Sequence, residues 1–188
     1  TSDDCLAFSN HRWWYRGDSK NLKVTNTILW ADVAHAMNVG GHGDDLSKKG
    51  EKIESVVFKN IDVLNVDEDD DNYRRVMSIC CGDKNRVRKV LFENIRVEDC
   101  EEARLVDIRV LFNEKYNTVP GGTIENIVFR NIDYKAETGD MYPMRIKGYD
   151  EKSVVRGVFM ENVVLNGTKM VSPDGIEMNA YVENVQVK

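Results

Sequence analysis

The chain has 188 residues, 41% hydrophobic and 31% charged. That is enough apolar material for one sizeable core, and no linker-like stretch divides it, so residues 1–188 are expected to form a single domain. The formal net charge of −6, with Lys and Arg scattered among acids, argues against a nucleic-acid partner, and no apolar run approaches a membrane span.

In chain order, two kinds of strand-like segment alternate. Short ones fall at 4–8, 36–40, 76–80, 105–109, 143–147 and 174–178. Between them runs a recurring phrase, apolar at every second position and closing on Asn, at 22–26, 56–60, 90–94, 127–131, 158–162 and, more weakly, 180–184. The closing residues are Asn26, Asn60, Asn94, Asn131, Asn162 and Asn184, separated by 34, 34, 37, 31 and 22 residues. Self-similarity at such a period marks stacked equivalent units, and the period-two alternation makes them strands rather than helices. An ordinary β-sandwich shares the alternation but has no reason to repeat one phrase six times. The fold expected is all-β, a right-handed parallel β-helix of about six coils, each pairing its backbone with the coils on either side. Asn suits the bends because it tolerates the left-handed conformation, and equivalent asparagines are expected to stack in a ladder.

The sequence opens on Thr1-Ser2-Asp3-Asp4, directly at a strand, and so reads as the C-terminal part of a longer β-helix. Cys5, Cys80, Cys81 and Cys100 fit no zinc spacing and read as small interior or bend residues rather than a disulfide framework. The acidic run 67–71 lacks the glycine and spacing of a calcium loop and reads as a solvated loop, so no metal site is expected.

Asp3 and Asp4 head the first short strand. Adjacent acids are usually a polar turn, but the segment Ser2-Asp3-Asp4-Cys5-Leu6-Ala7-Phe8 resembles the Asp-Asp-Cys-Ile/Leu-Ala-Val/Ile segment of glycoside hydrolase family 28, the polygalacturonase-like β-helix enzymes. The resemblance implies inverting hydrolysis of glycosidic bonds in a polysaccharide or oligosaccharide of the pectin type, without a cofactor. It gives Asp3 the place of the proton-donating acid and Asp4 that of a base orienting the attacking water. The family's third aspartate, one coil earlier, has no counterpart in these residues. A secreted or periplasmic location and a monomeric state are implied as well.

The family's histidine is matched best by His35, which precedes a strand of the right type containing Asn38, and second by His42 in Gly41-His42-Gly43. The family's Arg-Ile-Lys motif reappears as Arg145-Ile146-Lys147, but counting coils places it four steps from Asp4. The coil where that motif is expected carries the segment 76–80, which has no cation, and Arg109 is the nearest charged residue on an equivalent strand. A missing carboxylate clamp points to a neutral or differently decorated glycan. Trp13 and Trp14, with Trp30 further on, suit the rim of a sugar cleft. His42, Arg109, Trp13, Trp14 and Asn38 are thus the expected substrate-binding residues, with Asp3, Asp4 and His35 catalytic. Like charges on Asp3 and Asp4 are expected to push one carboxyl upward. A calcium-dependent pectate-lyase-like enzyme and a non-catalytic carbohydrate-binding β-helix remain as alternatives.

Overall fold

A computed structural model describes residues 3–10, 16–44, 46–68, 70, 71, 73–100, 103–136 and 142–188. Its short strands are β1 (Leu6–Phe8), β3 (Met37–Gly40), β5 (Arg75–Cys81), β7 (Arg104–Val110), β9 (Arg145–Lys147) and β12 (Glu177–Met178), and they stack in that order into one sheet. The long strands β2 (Ser19–Ala31), β4 (Lys52–Val66), β6 (Arg86–Asp99), β8 (Ile124–Tyr134) and β10 (Val155–Leu165) stack beside them in a second. Every neighbour pair along these two rows is parallel. At the far end β10 meets the antiparallel β11 (Thr168–Lys169) and the parallel β13 (Val182–Val187). The architecture is the parallel β-helix that the repeat spacing implies.

Inside each long strand the alternation is reset twice. In β4 the buried residues are Ile53, Val56, Phe58, Ile61, Val63 and Val66, so the step between inward side chains is three, two, three, two and three. The first two three-residue steps each contain one residue at positive φ, Ser55 at 61° and Asn60 at 56°. A left-handed residue turns the backbone without completing a pleat, so the chain bends while both flanking stretches keep their apolar side chains inward. The register stacks these residues in two columns. One holds Asn26, Asn60, Asn94, Asn131 and Asn162, with φ between 53° and 56°. The other holds Asn21, Ser55, Lys89, Asn126, Gly157 and Asn184.

Asn184 therefore belongs to a different column from the one its phrase suggests: Val182 pairs with Val155 and Val185 with Val158, which sets Asn184 beside Gly157 rather than Asn162. In the first column each side-chain amide donates to the carbonyl oxygen of the asparagine one coil earlier, at 3.0 Å, from Asn60 to Asn26 through to Asn162 to Asn131. Behind this ladder Phe58, Phe92 and Phe129 stack with ring centroids 5.0 Å apart, and Phe8 joins Phe58 at 5.6 Å. All four cysteines are without disulfides, and Cys80, Cys81 and Cys100 are buried.

The ladder separates two effects that one substitution normally merges. Asn94→Ala puts an ordinary L-residue at φ 55° and removes two ladder bonds. It is expected to cost about 1–2 kcal/mol for the backbone alone, and more with the lost bonds. Asn94→Gly relieves only the backbone part, so urea melts should place it between Ala and the parent.

Candidate functional site

β1 lies against β3 with Leu6 opposite Met37 and Ala7 opposite Asn38. The pairing continues one step earlier, where the Cys5 amide donates to the His35 carbonyl at 2.9 Å. Asp4 is thus carried to the head of the next coil. Its Oδ1 lies 2.6 Å from His35 Nδ1 and accepts the His35 backbone N–H at 3.1 Å, while its Oδ2 accepts the Asn38 side-chain amide at 2.9 Å. Burial alone would raise this carboxyl, but the His35 and Asn38 contacts outweigh it and hold Asp4 below the usual carboxylate value. The upward push expected of neighbouring like charges is therefore not what governs Asp4. An ionised carboxylate only accepts, so Nδ1 carries the shared proton, and His35 Nε2 is left buried without a hydrogen-bond partner among the described residues. Asp3 is exposed beside it, with Oδ1 accepting the Asp4 backbone N–H at 2.8 Å.

These residues open into a cleft of about 860 Å³ over the short-strand sheet. Along the outward row of that sheet, Ala7, Asn38, Ser78, Asp107 and Arg145 occupy successive rungs. Ala7 is exposed and Asn38 partly so, but Ser78 and Asp107 are fully buried because arginines fold over them. Asp107 accepts hydrogen bonds from Arg145 at 2.7 and 3.2 Å and forms ion pairs with Arg75 and Arg109, whose Nε atoms lie 2.6 and 3.1 Å away. Asp71 takes Arg104 and Arg145, each at 3.2 Å. Burial would raise Asp107, but the Arg145 hydrogen bond and the charges of Arg75 and Arg109 hold it low. Arg109 is pulled down by its own burial and by the charge of Arg75, as expected where guanidinium groups outnumber the carboxylates that serve them. Arg75 and Arg109 line the cleft, and Arg75 also donates to Cys80 Sγ at 2.8 Å.

The C-terminal ends of the strands form the opposite rim. Gly40 ends β3 at φ 102°, where a Cβ would sit 2.2 Å from the Cys80 carbonyl oxygen; only glycine makes this turn toward Gly41 and His42. The segment after β7 folds back across two coils, with Asn117 donating to the Gly41 carbonyl at 2.8 Å and to Asp83 at 2.9 Å. Next to it the Tyr116 hydroxyl accepts from the Tyr73 hydroxyl at 3.1 Å. Tyr73 packs edge-on against His35 and Tyr116 edge-on against His42, with centroids 6.0 and 5.9 Å apart. The bond to Tyr116 and partial burial push the Tyr73 phenol up to about 12, whereas Lys115 draws Tyr116 down.

Asp3, Asp4, His35, Asn38, His42 and Arg109 therefore line one cleft. Trp13 and Trp14 lie outside the described residues. Trp30 sits on β2, half-exposed, and does not line the cleft. The structure corrects the cation count: the coil after His35 does supply a cleft guanidinium, from Arg75, one residue before the segment that lacks a charge. Arg145 is locked in the Asp107 network, and Lys147 pairs with Glu177 at 3.3 Å. Sequence reasoning missed Arg75, Tyr73 and Tyr116. Strict alternation does not point to the first, since Arg75 stands two residues before the inward Met77 and would share its face; the tyrosines lie in loops without a repeat. The chain matches no protein-family model, no curated protein and no solved structure.

Asp4, Asp71 and Asp107 all have folded-state values below the ordinary 3.8. Their stabilisation is complete above that value and is lost as pH falls through the folded values. Asp107→Asn leaves three guanidinium groups around a neutral partner, and is expected to cost about 3–5 kcal/mol at neutral pH. It should also flatten the acid limb of stability below about pH 4; urea melts across that range measure both.

Proposed function

We propose that the chain is a polysaccharide glycoside hydrolase of polygalacturonase-like type, inverting the cleaved bond and working outside the cytoplasm on pectin-like material. The observation that carries this is the convergence of Asp3, Asp4, His35 and Asn38 at one end of a long cleft on a parallel β-helix. In this reading Asp4, kept ionised by His35 and Asn38, is the base that orients water, and His35 fixes its carboxylate. Asp3 faces the same cleft and donates a proton to the leaving oxygen. Inversion calls for ~6.5–9.5 Å between acid and base, room for a water.

Arg75 and Arg109 favour a sugar with an anionic group over the neutral glycan that segment 76–80 pointed to, because they share the Asp107 carboxylate with Arg145 and an oxyanion would add counter-charge. A second reading, a non-catalytic glycan-binding solenoid, draws on the three hydrogen bonds that already occupy Asp4 and leave it little freedom.

Reducing-end release from polygalacturonate and from neutral polysaccharides decides between them. Hydrolysis, lost ~10²–10⁴-fold in Asp3→Asn with an unchanged melting curve, is the expected result; binding without release supports the solenoid reading. Arg109→Gln should lower the preference for polygalacturonate over a neutral chain about 10-fold or more, the worth of one charged hydrogen bond.

A further inference from the structure

We infer that the cleft is closed at its inner end and accepts only the end of a glycan chain, so that cutting proceeds from chain termini; this rests on the glycan reading above.

The cleft has a direction. Its lining runs from Asp3 and Asp4 on the β1 coil to Arg109 on β7, three rungs or about 14 Å. Neither Arg145 nor Lys147 on β9 lines it. Burial of the outward row increases toward the inner end: Asn38 is partly open, while Ser78 and Asp107 are fully buried. A polymer lying along the sheet would have to pass through the positions that the arginines around Asp107 fill, and those side chains are held by a buried carboxylate.

The sides close in the same place. Tyr73 stands before β5, at the N-terminal rim of the sheet, and Tyr116 follows β7, at the C-terminal rim, yet their hydroxyls meet at 3.1 Å. The bridge crosses the cleft, and each ring abuts a histidine of its own rim, His35 on one side and His42 on the other. Asn117, bonded to Gly41 and Asp83, fixes the backbone beside Tyr116, so the arch is anchored on two coils rather than hanging from a free loop. The inner half of the cleft is thus a roofed pocket ending in arginines, with Asp3 and Asp4 lining its other half. A terminal sugar fits such a shape. An internal segment would need an exit that the arch and the arginines occupy.

Counting proteins per chain tests this without relying on turnover. Asp3→Asn protein is titrated calorimetrically with galacturonate chains of defined length, from short oligomers to chains long enough to seat several proteins. One protein per chain at every length is expected, and a number that rises with length overturns the inference. With the unaltered protein, polygalacturonate should yield one short product from the outset while viscosity falls slowly; a ladder of intermediate lengths overturns the inference but leaves the hydrolase reading standing. Binding of one protein per chain with no cleavage does the reverse. Chains neither bound nor cut overturn both. Tyr116→Ala, and more mildly Tyr73→Phe, should open the roof and add proteins per long chain; unchanged end-binding in both variants would remove the tyrosines from the explanation.

Discussion

The structure depends on a single left-handed residue at each bend of the long strands. An uninterrupted strand alternates its side chains strictly, so it can bury one face only while it runs straight. Placing Asn60 or Ser55 at positive φ turns the backbone and shifts the alternation by one, and the side chains on both sides of the bend still point inward. The conformation costs an ordinary residue about 1–2 kcal/mol, less for Asn, whose side chain bonds locally. Repeating it coil after coil at one register makes the asparagine amides stack, and the ladder bonds offset part of that cost.

A frame fixed this way determines what the short strands present. Their inward positions fill the core with Met37, Met77, Val106 and their neighbours, and their outward positions form rows that run along the axis. Chemistry on such a surface is assembled across coils. Asp4 is set by His35 and Asn38, which lie 31 and 34 residues away in sequence and one rung away in space. The charged wall at the inner end is built the same way, with Arg75, Arg109 and Arg145 from three successive coils around Asp107. An arrangement of this kind places buried charge beside an open cleft, with more guanidinium groups than carboxylates in its inner wall.

Much of this was legible in the residues. The Asn phrase and its spacing implied the β-helix, because a coil has a nearly constant length and the left-handed bend selects a particular residue. The phase of the strand after His35 distinguished it from His42, whose glycine neighbours match the family motif more literally; the structure bonds His35 to Asp4 and leaves His42 on the far rim. Asn184 shows where such reading stops. Its phrase resembles the others, but both bend columns accept Asn, and only backbone pairing separates them.

By itself, the sequence determined the coil repeat, the inward faces and the adjacency of Asp3 and Asp4 to His35 and Asn38, since all of these follow from local periodicity and a fixed rise per coil. Tertiary structure alone decided that Arg75 reaches the cleft, that Asp107 gathers three arginines, and that Tyr73 and Tyr116 join across the opening. Those contacts depend on how long side chains and non-repeating loops fold over the sheet, and no period in the chain encodes that path.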